Sequence, residues 1–290
     1  MSLTKLFEFY LWQYAGDLPQ PIILWWQKKN VKILLGKASQ LYTYHTLWSA
    51  QQNWGGLPII DKTLLRQGCL IKDRSPDSCF VRYVCDRKGQ PFCLQEDFNF
   101  LKHKIFLSKR SKKKPEDFYF IPEFGPIAER CQGDREGFHV YNQSMILEIT
   151  DNSGRCVEDG TMGRTIVTYF LNHYMPFIRY DTGEQGLYCK KRCACGKKIF
   201  VPEPQKYCSI NINGRIFNQL NFDRIFCFYY LFISRYEVIG YEAGTLKIAI
   251  EPGIFWKDSL LGDITREISE LTDHPPDRLA ISLVRADKSR

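Results

Sequence analysis

The feature that most restricts what this chain can become is the cluster Cys193-Ala194-Cys195-Gly196, with Cys189 just upstream. It belongs to a set of eleven cysteines in 290 residues, an odd number. The opening "MSLTKLFEFYLWQY" lacks the basic-then-apolar order and the small-residue cleavage site of a secretory signal, so the expectation is a cytoplasmic protein. In that compartment cysteines are thiols or metal ligands, and an odd count fits a disulfide framework poorly. The longest apolar run, "IFCFYYLFI" at 225–233, is too short to span a bilayer, so no membrane span is expected.

The length fits two domains and is enough to bury a core. With 44% apolar and 25% charged residues the chain reads as globular, and its formal net charge is +8. Part of that charge sits in "KRSKKK" at 109–114, which Ser111 and Pro115 punctuate, and the tract reads as a solvated loop. A nucleic-acid binder would spread its cations along a groove with aromatic partners, so no nucleic acid is expected.

Along the chain, Pro21 suits the first turn of a helix carrying Ile22, Trp26, Ile33, Leu34 and Leu41 on one side. "GGLPIIDKTLL" at 55–65 reads as a turn, an extended piece and a helix start at Asp61. Residues 66–118 are the least legible. From Tyr119 the pattern is regular: "MILEIT", the turn "DNSG", "GRTIVTYF" and "MPFIRY" read as strands, followed by a charged turn at 179–184. After the turn "NING" at 211–214, "FNQLNFDRIFCFYYLF" reads as helical. "YEVIGY" and "TLKIAI" are strands joined at Ala243-Gly244. A helix with Leu260, Leu261, Ile264, Ile268 and Leu271 and a last strand "RLAISLV" complete the chain. Two strands, a helix and a strand make a small α+β domain of ferredoxin-like kind, with a boundary near the prolines of "VPEPQ".

Cys131, His139, Cys193 and Cys195 supply three thiols and one imidazole from three segments, a set that suits tetrahedral, structural zinc. Cys189 is an alternative to Cys193. The contrary reading is of buried, inert thiols. Cys131 with His139 as nucleophile and base lacks an evident acid or oxyanion partner. His45, His103, His173 and His274 read as ordinary core or surface histidines.

Taken in order, "LPIIDKTLL", "YFIPEFGPIAERC", "GFHVYNQSMILEI", "GRTIVTYFLNHYMPFIRYDTGE" and "RCACGKK" resemble the phenylacetate–coenzyme A ligase family, including its capsule-biosynthesis adenylate-forming members. The resemblance implies an adenylate-forming enzyme that joins a carboxylic acid to AMP from ATP and magnesium, then passes the acyl group to coenzyme A. By the same resemblance Tyr119 lies against adenine, Glu123 stands near magnesium and phosphate, and Glu184 takes the place of an aspartate that grips the ribose hydroxyls. A carboxylate has two acceptor oxygens and suits two vicinal donors. The resemblance also points to Cys131, His139, Cys193 and Cys195 as zinc ligands.

The departures from that pattern matter as much. Phe120 and Pro122 replace the glycine and the hydroxyl residue of the motif at 119–123. No Ser/Thr/Gly-rich phosphate loop stands between Ile60 and Tyr119. No hinge motif occurs at 206–208, and the tail "VRADKSR" lacks the Gly-Lys that delivers the catalytic lysine, so no catalytic residue is assigned.

The expectation is therefore a mixed α+β protein. A shortened adenylate-forming core with a zinc-bound β region (119–200) would fill 1–203, and a ferredoxin-like α+β domain 204–290. Its function would be that of a carboxylate–CoA ligase relative with impaired or lost catalysis, or alternatively of a non-catalytic zinc-containing binding or scaffold protein. A missing subdomain would leave apolar surface for self-association or a partner chain.

Overall fold

The computed structural model describes residues 19–39, 57–66, 80–85, 91–96, 117–121, 123–130, 137–173, 175–203, 209–226, 229, 232–253 and 255–284. Two compact units divide the chain. The first comprises Met1–Phe80, Gln95–Phe100 and Ile127–Pro204, the second Val81–Leu94, Leu101–Pro126 and Gln205–Arg290. Strands β1 (Phe80–Cys85) and β2 (Pro91–Glu96) form a two-stranded sheet.

The first unit is built on antiparallel strands: β4 (Gly125–Arg130, of which 127–130 lie here), β5 (Phe138–Val140), β6 (Met145–Thr150), β7 (Gly163–Tyr169), β8 (Phe177–Arg192) and β9 (Lys198–Pro202). Their order in the sheet is β4-β5-β9-β8-β7-β6. Residues 165–169 of β7 are all buried, so both faces of the sheet are covered there. That is why strict alternation of polar and apolar residues fades along this strand. The turn after β6 forms as its sequence requires: the Asp151 carboxylate accepts from the Ser153 and Arg155 amides at 2.8 and 3.0 Å, and Gly154 takes a φ of 82°.

A helix, Gln20–Ala38, begins with proline in its first turn, as expected. Its buried face is Ile23, Trp26, Leu34 and Ala38, and Trp26 Nε1 donates to the Gln143 carbonyl at 2.8 Å. Ile22 and Ile33, expected on that face, are 39% and 40% exposed, while Leu41 lies outside the described residues. The indole fixes the helix's rotation because its N–H must find an acceptor when buried. The short helix Lys62–Arg66 is capped as anticipated, with the Asp61 carboxylate accepting from the Thr63 and Leu64 amides at 2.9 and 3.2 Å.

The charged turn expected at 179–184 is instead the middle of the 16-residue strand β8. Two bulges interrupt that strand's pairing with β7. Val167 faces Tyr180 and Tyr169 faces Phe177, which leaves Ile178 and Arg179 opposite Thr168 alone. Ile166 faces Asp181 and Arg164 faces Gln185, which leaves 182–184 opposite Thr165. Arg179 takes a φ of 48° and Gly183 one of 73°, so each bulge contains a left-handed residue.

In the second unit, β3 (Phe118–Ile121) is buried throughout. Strands β10 (Ser209–Ile212) and β11 (Arg215–Asn218) make a hairpin through Asn213 and Gly214, at φ of 50° and 84°. Strands β12 (Ile233–Glu242) and β13 (Thr245–Pro252) pair through Ala243 and Gly244, at 49° and 76°. Both turns have two successive left-handed residues, the arrangement that matches strand twist. The helix Leu260–Thr272 leads to β14 (Leu279–Leu283), which lies parallel and directly beside β13. A ferredoxin-like split would leave another strand between those two, so the crossover here is an ordinary, unsplit one. Leu246, Ile248 and Ile250 of β13 pack with Ile264, Ile268, Phe222, Ile225 and Phe226 in one core. His274 is buried there, with Nε2 3.0 Å from the Gly244 carbonyl and Nδ1 3.3 Å from the Asn213 amide, a core histidine joining both turns.

Candidate metal centre and the bulged strand

Strands β8 and β9 are joined by the tight turn Cys193-Ala194-Cys195-Gly196-Lys197, flanked by the pair Arg192 and Lys198. Cys193 donates its amide to the Lys197 carbonyl at 3.0 Å and Gly196 donates to the Cys193 carbonyl at 2.8 Å, with Gly196 at a φ of 82°. The left-handed glycine turns the chain back so that both thiols reach the same side. Strand β5 brings His139 there. Its register is set by pairing with β4, where His139 faces Glu129, and with β9, where Phe138 faces Phe200. Gly137 precedes it because a Cβ at that position would lie 2.8 Å from the Phe200 carbonyl oxygen and strike the Ile199 side chain.

His139 Nδ1 lies 2.8 Å from the Lys198 carbonyl oxygen. A carbonyl only accepts, so Nδ1 carries the proton and Nε2 presents its lone pair. That lone pair faces the Cys195 sulfur at 3.3 Å. Ligand atoms of His139, Cys193 and Cys195 all lie within 4.8 Å of one another. Tetrahedral zinc with its usual bond lengths separates a sulfur and a nitrogen ligand by about 3.6 Å, so the donor set and its spacing fit zinc. The carbonyl behind Nδ1 is the kind of outer partner that orients a metal-bound imidazole. Cys193 and His139 are buried and Cys195 is exposed. Among the described residues this group includes Cys193 and does not include Cys189, the alternative to it. Cys131 lies outside the described residues, and with it the Cys131–His139 nucleophile–base reading. Sequence reasoning missed Gly137 and the Lys198 carbonyl. A glycine two positions before a candidate ligand was the available signal for the first; a backbone acceptor leaves none.

The residues carried over for a nucleotide are all buried. Tyr119 and Glu123 belong to the second unit and Glu184 to the first. Glu184 is 2% exposed, and burial pushes its carboxyl well above the usual carboxylate range while the Lys62 charge pulls the other way.

Arg179 is the other organising group, and nothing in the sequence singled it out beyond its place in "RYDTGE". It is 3% exposed. Its Nη1 donates to the Leu57 carbonyl at 2.8 Å, its Nη2 to the Gly154 carbonyl at 2.7 Å, and its Nε to the Glu148 carboxylate at 3.3 Å. Its amide donates to Thr168 Oγ1 at 2.9 Å. The other Glu148 oxygen faces the Cys156 sulfur at 3.7 Å, and burial with that carboxylate raises the Cys156 thiol, which makes it a poor nucleophile. Nearer the surface, Arg164 pairs with Asp181 at 2.5 Å.

Among the described residues no helix is long and apolar enough to cross a membrane. No known protein-family description matches the chain, and no curated protein does. Solved structures to which it is similar include two of 2-hydroxyisobutyryl-CoA ligase. For the open conformation in complex with 2-HIB-AMP and CoA, identity is 11% and the TM-score 0.48, over 90% of this chain and 88% of that chain. For the postadenylation state the values are 10% and 0.46, over 89% and 86%. The anthranilate CoA ligase AuaEII in complex with anthranoyl-AMP is similar at 16% identity and a TM-score of 0.24, over 56% of this chain and 34% of that chain.

Proposed function

We propose that this chain is a zinc-stabilised relative of the adenylate-forming carboxylate–CoA ligases, with its own turnover impaired or lost. One observation carries the reading: of four scattered positions that the motif resemblance marks as zinc ligands, the three described ones have ligand atoms within 4.8 Å of one another. His139 and Cys193, 54 apart in sequence, are brought together by the pairing of β5 with β9, at positions that the resemblance marks. Zinc bound there would be structural: it would clip β5 to the β8–β9 turn and add its binding energy to folding. Cys131 is the fourth ligand in this reading, which gives closed coordination and no open position for substrate.

The nucleotide part rests on Tyr119, Glu123 and Glu184, with a carboxylic acid, ATP with magnesium and coenzyme A as the ligands the resemblance implies. Impairment follows from the donor inventory: the sequence offers no phosphate loop between Ile60 and Tyr119 and no hydroxyl in the motif at 119–123 to stabilise charge at the α-phosphate. The burial of Glu184 favours a second reading, a zinc-containing binding or scaffold protein without nucleotide chemistry. Pyrophosphate release, measured with ATP, magnesium and a panel of aryl and fatty acids alongside ATP binding, separates them. ATP binding with little or no pyrophosphate supports the impaired ligase; absence of both supports the scaffold; rapid release refutes the impairment.

A further inference from the structure

Glu184 is assigned to the ribose by the proposed function, yet it is almost inaccessible, and the residues beside it indicate what would have to move. Residues 57–66 run along the bulged part of β8. Ile60 donates its amide to the Arg179 carbonyl at 3.0 Å and accepts from the Asp181 amide at 2.8 Å, so it forms a bridge with Tyr180 parallel to the strand. Just before it, the Leu57 carbonyl takes a hydrogen bond from Arg179 Nη1. Just after it, Lys62 reaches over the bulge: its Cε is 3.8 Å from where a Cβ on Gly183 would stand. The charge of Lys62 acts on the Glu184 carboxyl. The segment thus touches β8 on both sides of Tyr180, through two backbone bonds, one guanidinium and one lysine.

The left-handed backbone of Arg179 is what makes this possible. A non-glycine residue at a φ of 48° carries strain that the surroundings must offset. Here the bulge turns the Arg179 carbonyl toward the Ile60 amide and the guanidinium toward the Leu57 and Gly154 carbonyls. Three partners from three segments fix a fork that one ammonium group has no means to reproduce.

We propose that residues 57–66 are a strap closed over Glu184, pinned by Arg179 and carrying Lys62 as its contact with the bulge, and that a nucleotide reaches Glu184 when the strap lifts. This rests on the nucleotide reading of Glu184. A binding-competent state that is populated only part of the time weakens apparent affinity by that fraction, so loosening the strap tightens binding.

The test uses the full-length, zinc-loaded chain and two variants. Arg179→Lys keeps a cation beside Glu148 and removes the forked bonds; Lys62→Met leaves the backbone bridge and removes the charge over the bulge. Amide hydrogen exchange at Ile60 and Asp181 reports the strap, zinc content reports folding, and ATP–magnesium binding reports the gate. The expected result is exchange about tenfold faster in Arg179→Lys, and ATP binding about three- to tenfold tighter in both variants. Exchange unchanged in Arg179→Lys overturns the pin. Faster exchange with ATP binding that is equal or weaker overturns the gate, because the strap is then part of the ligand site or irrelevant to it. Faster exchange with no ATP binding in any form removes the nucleotide reading and the gate with it, and leaves only the pin. Should Arg179→Lys fail to retain zinc, Lys62→Met decides: tighter binding sustains the gate and weaker or unchanged binding refutes it.

Discussion

Replacing Arg179 by methionine tests the buried network that shapes the bulged strand. The Glu148 carboxylate, 9% exposed, would lose the guanidinium that lies 3.3 Å away and be left inside the first unit without its counter-charge. Breaking one side of a buried ion pair costs about 3–5 kcal/mol, because the remaining charge is left uncompensated. The Leu57 and Gly154 carbonyls lose their donors at the same time. The left-handed strain at Arg179 stays, since methionine relieves none of it. The double variant Glu148→Gln, Arg179→Met removes the charge as well, and its cost should fall to about 1–3 kcal/mol, that of unsatisfied neutral groups. That difference, about 2 kcal/mol, added to the cost of Glu148→Gln alone, is the coupling that a double-mutant cycle reads. Urea unfolding followed by tryptophan fluorescence is a suitable assay, because Trp26 is buried in the same unit. An Arg179→Met variant within about 1 kcal/mol of the parent, or a double variant that costs the sum of the two singles, refutes the reasoning.

Two further outcomes follow from other parts of the molecule. The raised Glu184 carboxyl means that the native chain holds a proton the unfolded chain has released, so its stabilising contribution is full below the unfolded value of about pH 4.3 and is lost as pH rises through the native value. Glu184→Gln should therefore gain stability relative to the parent as pH rises from about 4 to 8, and a difference that stays flat or shrinks contradicts this. In the second unit Ile268, 0% exposed, packs in the core beneath β13; Ile268→Ala should cost about 2–5 kcal/mol in chemical denaturation, and a cost under about 1 kcal/mol would mean that the helix is not seated there.

The parts of this fold that could be read from the sequence are those governed by local rules. The two-residue turns at Asn213-Gly214 and Ala243-Gly244, the Asp61 cap and the helical spacing of Ile264 and Ile268 all follow from neighbouring residues, and the structure contains each of them. That His139, Cys193 and Cys195 belong together was legible because thiols and an imidazole in a few short motifs suggest a shared ion, and the three do lie within 4.8 Å of one another. What escaped depends on contacts distant in sequence. No local signal places an arginine in a left-handed bulge; Arg179 is held there by carbonyls from Leu57 and Gly154 and by Glu148. The helix Gln20–Ala38 keeps Trp26 and Leu34 on its buried face as expected, and adds Ile23 and Ala38 where Ile22 and Ile33 were expected; the bond from Trp26 to the distant Gln143 carbonyl is one that periodicity does not know about. The burial of Glu184 escaped for a related reason: a charged residue inside "RYDTGE" reads as solvent-facing until the bulge and Lys62 are seen beside it.

Zinc content of the purified chain, after exposure to excess zinc and exhaustive dialysis, bears most directly on the His139, Cys193 and Cys195 centre. The parent should retain about one equivalent, and a His139→Ala, Cys195→Ser variant with unchanged circular dichroism should retain none. A full equivalent held by that variant, or loss of metal on Cys189→Ser with the other ligands intact, would contradict the assignment.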